Sequence, residues 1–241
     1  MPVRFFVSSP LSKKSEDRLK GAGVEFLALP LISFLPVEFS VQEVLNFSPD
    51  YAVFSSKRGV KFFFNRVSPE LLKGVQVIAV GSSTAKELSA LGFDPLVPEE
   101  FVGEGVVELL KNLPMKGARF LVVRPEKARS VVPDFLRESG ASVKEVVAYR
   151  TVVNGEAEVP LKEFFSEPVD FVAFTSPSNF NAFKALLGKE EALKVLSRAK
   201  VVPIGPVSAE ALKREGIEPY ALPQKYTVDS LVDLVLSKLN A

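Results

Sequence analysis

A duplicated pattern constrains the fold of this chain more than any other feature. Asp50-Tyr51-Ala52-Val53-Phe54-Ser55-Ser56-Lys57-Arg58 matches Asp170-Phe171-Val172-Ala173-Phe174-Thr175-Ser176-Pro177-Ser178 at an offset of 120 residues. Val80-Gly81-Ser82-Ser83-Thr84-Ala85 matches Ile204-Gly205-Pro206-Val207-Ser208-Ala209 at an offset of 124. Arg119-Phe120-Leu121-Val122-Val123-Arg124-Pro125 echoes the stretch from Arg4 to Pro10 at an offset of 115. Similarity of this length marks a repeated structural unit.

Each repeat has the same grammar. A short apolar run ends in Ser, Thr or Gly and passes into a helical pattern. Apolar runs of this length, bounded by turn residues, read as buried parallel strands. Strands alternating with helices predict parallel sheets covered on both faces. About ten strands are read along the chain, including a short edge strand at Pro95–Pro98 between two prolines. That is too many for one compact sheet. The fold expected is therefore α/β, with two similar flavodoxin-like domains, each a five-stranded parallel sheet. Two stretches have extended, non-helical chemistry, Pro30–Pro36 and Arg150–Gly155. A chain crossing at both gives one domain from residues 1–30 and 155–241, a second from 37–149, and interdomain connectors at 31–36 and 150–154. A single cut at Lys116 into tandem copies is the other division the repeats allow.

Composition narrows the chemistry. Thirty basic residues against twenty-nine acidic ones give a net charge of +1. That argues against bulk nucleic-acid or membrane-surface binding, which leans on a basic excess. Histidine and cysteine are both absent. A Ser-His-Asp triad, a thiol nucleophile, disulfides and His- or Cys-based zinc sites are thereby excluded. No apolar run approaches 18 residues and the first residues lack a signal-peptide layout, so a soluble cytoplasmic protein is expected.

The strand ends are the candidate site. A strand that stops in Ser, Thr or Gly before a helix presents N–H groups and hydroxyls at the helix N-terminus, where α/β proteins hold anions. Ser56, Ser176 and Ser178 are read as anion-binding, against plain turn and cap chemistry. Thr84 and Ser208 follow Gly81 and Gly205 by three residues and are read as carboxylate ligands, against simple N-capping. Arg58 is a candidate for bidentate carboxylate pairing, against a surface ion pair. Arg124 lies at the mouth of the repeated first-strand motif. Lys200 precedes its strand and reads as structural, and Phe62-Phe63-Phe64 as core. Tyr149 ends a strand beside the second connector and should face an interdomain cleft.

Taken together, Phe54-Ser55-Ser56-x-Arg58-x-Val60, Val80-Gly81-x-x-Thr84-Ala85, Gly140-Ala141-x-Val143, Val147-Ala148-Tyr149-Arg150-Thr151, Phe174-Thr175-Ser176-Pro177-Ser178 and Ile204-Gly205-Pro206-x-Ser208-Ala209 resemble the uroporphyrinogen-III synthase family. The resemblance implies two α/β domains and a cofactor-independent reaction on a linear, polycarboxylate tetrapyrrole. That substrate, hydroxymethylbilane, would be closed with inversion of its last pyrrole ring, giving uroporphyrinogen III and water. It implies that Tyr149 assists departure of the substrate hydroxyl, and that Ser208 stands where the family usually has Thr. A monomer supplied by hydroxymethylbilane synthase, with no nucleic-acid or membrane partner, fits the same picture. Two other readings stay open: a two-lobed binding protein for small polyanions, and a catalytically degenerate tetrapyrrole-binding homologue. Nucleotide binding at the Gly81 turn is weaker, because neither a P-loop nor G-x-G-x-x-G is present.

Overall fold

The computed structural model describes residues 2–239. The chain begins with β1 (Arg4–Val7), α1 (Lys13–Gly21), β2 (Glu25–Ala28), β3 (Ile32–Pro36), α2 (Val41–Phe47), β4 (Tyr51–Phe54) and α3 (Lys57–Phe64). It continues through β5 (Gln76–Ala79), α4 (Ser82–Ala90), α5 (Gly103–Leu110), β6 (Arg119–Pro125), α6 (Val131–Glu138) and β7 (Ser142–Val153). It closes with α7 (Glu158–Phe164), β8 (Phe171–Phe174), α8 (Pro177–Leu187), α9 (Lys189–Leu196), β9 (Lys200–Pro203), α10 (Pro206–Lys213) and α11 (Val228–Ser237).

The helices begin where small hydroxyl residues can cap them. Ser12, Ser40, Ser56, Ser176 and Thr227 each accept a hydrogen bond from the backbone N–H three residues on. Each such bond satisfies one N–H that the helix itself leaves unpaired.

Two compact units result: Met1–Ser33 with Val152–Ala241, and Phe34–Thr151. In the first unit the strand order is β2-β1-β8-β9, all parallel. In the second it is β3-β7-β6-β4-β5, with β7, β6, β4 and β5 parallel to one another. The bonds from Asn154 N–H to the Leu31 carbonyl and from Val37 N–H to the Ala148 carbonyl set β3 antiparallel to β7, so this sheet is mixed and not all parallel as expected. Both faces of each sheet are buried, so neighbouring residues on one strand serve different cores. Phe6 packs into one cluster while Phe5 and Val7 pack into another. Ala52 and Phe54 likewise part from Val53. This is why the strands read as unbroken apolar runs.

The structure departs from the sequence expectation in three places. The sheet of the first unit has four strands, not five. Beyond β9 the N–H of Tyr220 donates to the carbonyl of Val201 at 2.8 Å, but Pro219 and Pro223 leave no run of donors to extend a ladder. Pro95–Pro98 forms no named strand; Leu96 makes one parallel bridge to Ile78. The stretches expected as extended connectors are extended, and beyond that expectation they are also paired as strand. β3 lies beside β7 in the sheet, and Val37 N–H donates to the Ala148 carbonyl at 3.1 Å.

Candidate functional site

In the second unit β6, β4 and β5 are adjacent and parallel, so their C-terminal ends share one edge. β4 ends in Ser55-Ser56 and enters α3; β5 ends in Val80-Gly81 and enters α4. Tyr149 reaches the same edge through β7, in register with Pro125 at the end of β6. Its ring stacks on Phe62 at 5.5 Å and meets Phe34 edge-on at 6.0 Å. Its hydroxyl lies 3.0 Å from Ser56 Oγ, which also accepts the Gly59 N–H at 3.0 Å. The tyrosine is only 6% exposed, so the Ser56 hydroxyl is the more accessible member of the pair.

Helices α3 and α4 begin differently. Ser56 caps α3, whereas the N-cap of α4 is Gly81, which has no side chain to offer. Thr84, at the third position of α4, is only 3% exposed as a residue, and no side chain caps the start of that helix.

The first unit repeats the contrast. β8 and β9 are parallel neighbours whose ends carry Thr175-Ser176 and Ile204-Gly205. Ser176 caps α8, while α10 starts at Gly205 without a side-chain cap. Ser208, 5% exposed, occupies the matching third position of α10. Ser178 is exposed on the first turn of α8. A hydroxyl network joins the end of β1 to this edge. Thr175 N–H donates to Ser8 Oγ at 3.0 Å, and Asn179 Nδ2 donates to Thr175 Oγ1 at 3.0 Å and to Ser176 Oγ at 3.1 Å. The buried Asn179 Oδ1 has no partner.

The cations of the candidate set are partly engaged. The Arg58 guanidinium stacks 3.7 Å over the Phe34 ring, which makes it part of the wall around Tyr149. Arg124 Nε lies 3.0 Å from Glu145 Oε2, but its N–H is not aligned with that oxygen. Its Nε and Nη1 are buried without hydrogen bonds, so the charge is compensated while the donors are not. Lys200 sits over Phe171 and Tyr220 at the start of β9, a packing position. The perturbed carboxyls lie elsewhere. The Arg119 guanidinium, reinforced by the Arg119 backbone N–H, holds Asp50 below the ordinary carboxylate range at the starting end of β4. Among the described residues no group of His, Cys, Asp and Glu is placed to hold a metal ion.

The profile of the uroporphyrinogen-III synthase family matches residues 13–233. The chain belongs to that family. A Methanothermobacter thermautotrophicus protein provisionally named uroporphyrinogen-III synthase is 29% identical over 240 residues, 94% of each chain. The uroporphyrinogen-III synthase of Chlorobaculum parvum is 25% identical, covering 92% of each. Crystal structures of the uroporphyrinogen III synthases of Thermus thermophilus and Helicobacter pylori superpose with a TM-score of 0.68 at 19% and 21% identity. They cover 99% of this chain and 99% and 100% of theirs. These structural matches support the α/β fold of parallel sheets and helices.

Seen as a synthase-family protein, the chain divides its sequence-derived candidates by unit. Tyr149, Ser56, Arg58, Gly81, Thr84 and Arg124 share the strand-end edge of one unit, and Ser176, Ser178, Gly205 and Ser208 that of the other. Sequence reasoning missed Phe34, Ser8 and Asn179. Phe34 was hidden in a proline-flanked stretch read only as a connector. Asn179 was legible as the residue where the repeat has Gly59, the one substantial side-chain gain at that turn.

Proposed function

We propose that this chain is a uroporphyrinogen-III synthase, which closes hydroxymethylbilane to uroporphyrinogen III with inversion of the terminal pyrrole ring and loss of water. Family membership supports the reaction. The observation that carries it to particular residues is the pair of helix starts without a side-chain cap, each with a largely buried hydroxyl residue at the third position. Gly81 and Gly205 keep side chains away from the free N–H groups, and Thr84 and Ser208 add a donor to each. A substrate rich in carboxylates is matched by such sites.

The hydroxyl pair of Tyr149 and Ser56 supplies the proton that lets the substrate hydroxyl leave as water. The phenol proton passes to Ser56 as the Ser56 proton passes to the leaving oxygen. Electron release from the pyrrole expels the water, and the proton lost on ring closure restores the tyrosine. An electron-rich pyrrole needs only modest acid help, so the larger share of catalysis lies in holding the chain for attack by the substituted carbon. We further read each unit as a flavodoxin-like domain, the protein as a cytoplasmic monomer, and hydroxymethylbilane synthase as its supplier. Among the described residues no helix is long and apolar enough to cross a membrane.

The deciding experiment incubates the protein with freshly generated hydroxymethylbilane and separates the III isomer from the I isomer. Excess isomer III over the enzyme-free control is expected; isomer I alone would end the assignment.

A further inference from the structure

The two uncapped helix starts share a second feature. A Cβ placed on Gly81 would lie 3.5 Å from Phe101 Cβ and 3.7 Å from its Cγ. A Cβ on Gly205 would lie 3.2 Å from Tyr226 Cγ and 3.3 Å from Cδ1. Each glycine is thus touched by an aromatic side chain from the loop leading to the next helix, closely enough at Gly205 that a Cβ would crowd the ring and at Gly81 in ordinary van der Waals contact. The loops correspond: Pro98 and Pro223 are both buried, and the aromatic residue follows each by three. Yet Phe101 is 56% exposed and Tyr226 is 63% exposed. Each side chain thus packs on glycine backbone while most of its surface stays open to water, beside a helix start that no side chain caps.

We infer that Phe101 and Tyr226 are ring platforms, each taking the face or edge of one pyrrole whose carboxylate arms bind the adjacent helix start. This deepens the synthase reading and rests on it. A lone exposed aromatic residue carries little information. Two at equivalent places in diverged repeats, each seated on the glycine of an anion-binding turn, specify a ligand with both a π-system and negative charge. A pyrrole bearing carboxylate arms has both. Aromatic contact with a ring in offset or edge geometry adds to the charged hydrogen bonds and not to simple anion binding.

The test compares two ligands on the intact protein: uroporphyrin, read by its own fluorescence, and 1,2,3,4-butanetetracarboxylate, which has carboxylates without rings. Phe101→Leu and Tyr226→Leu keep an apolar cover on each glycine. Each is expected to weaken uroporphyrin binding about 2- to 12-fold, with butanetetracarboxylate unchanged. Unaltered uroporphyrin affinity, an equal loss for both ligands, or no uroporphyrin binding by the unsubstituted protein would overturn the platforms. The isomer assay on the same preparations separates the outcomes. Isomer III formed alongside unaltered uroporphyrin affinity removes the platforms and leaves the synthase. Ring-specific loss without isomer III removes the synthase and leaves a ring-binding protein.

Discussion

Tyr149→Phe is the sharpest probe of the proposed chemistry. The substitution keeps the ring stacked on Phe62 and edge-on to Phe34, so no cavity forms. It removes only the hydroxyl bonded to Ser56 at 3.0 Å. Ser56 still accepts the Gly59 N–H, so no group is left orphaned. The stability loss should be that of one ordinary hydrogen bond, about 0.5–1.5 kcal/mol, against about 3–5 kcal/mol for truncating a buried aromatic ring to alanine. At roughly 2–4 °C per kcal/mol, the melting temperature should fall by only a few degrees. Turnover to isomer III should fall further, on the order of 10²-fold, the lower end for a general acid. Ser56→Ala should fall similarly, and the double variant little further, because the two hydroxyls act as one relay. Wild-type turnover with the expected small loss in melting temperature would refute the relay and leave the pair as packing.

Other expectations follow from the same geometry. Thr84→Val and Ser208→Ala should change the denaturant midpoint little, since neither hydroxyl caps its helix, yet raise KM by the equivalent of about 1–3 kcal/mol; a large stability loss with unchanged KM would contradict this. Gly105→Ala should destabilise by about 3 kcal/mol or more, because its Cβ would lie 2.1 Å from the Glu100 carbonyl oxygen; calorimetry tests it. Ser176→Ala should lose about 1 kcal/mol through the α8 cap, measured by urea unfolding. Asp229 is held below its ordinary pKa by the Ser15 and then the Ser12 hydroxyls. Its stabilisation is full above the unfolded value, about 3.9, and is lost as pH falls through the lower folded value. Asp229→Asn should therefore be less stable at neutral pH and show a shallower acid decline in urea midpoint; parallel pH curves would reject the assignment.

Much of the α/β pattern is legible in the sequence because its signals are local. The run before Ser56 and Ser176 and the cap hydroxyl after it sit within a few residues of one another, so strand, turn and helix start are read together. The contacts that decide the site are not local. Tyr149 meets Ser56 across 93 positions, a pairing fixed only by the register of β4, β6 and β7. Arg124 looks free at a strand end until Glu145, on the neighbouring strand, comes beside it. The hydroxyl of Thr84 reads equally as a cap or a ligand, and only the helix start in three dimensions shows that Gly81 is the N-cap and that no side chain caps it. The missing fifth strand of the first unit reflects prolines whose effect on a ladder depends on its being the edge.

The interrupted unit has a consequence for synthesis. Its strands β1 and β2 pair with each other and emerge first, but β8, the other neighbour of β1, lies about 140 residues later. At about 5–20 residues per second, the early strands wait roughly 7–28 s. The continuous second unit, Phe34–Thr151, can be complete before then. The ribosome thus delivers a finished middle preceded by an apolar leading segment in which one edge of β1 still lacks its partner. A chaperone engaging nascent chains would find its binding site in the first thirty residues, and would lose it when Phe171–Phe174 clears the exit tunnel.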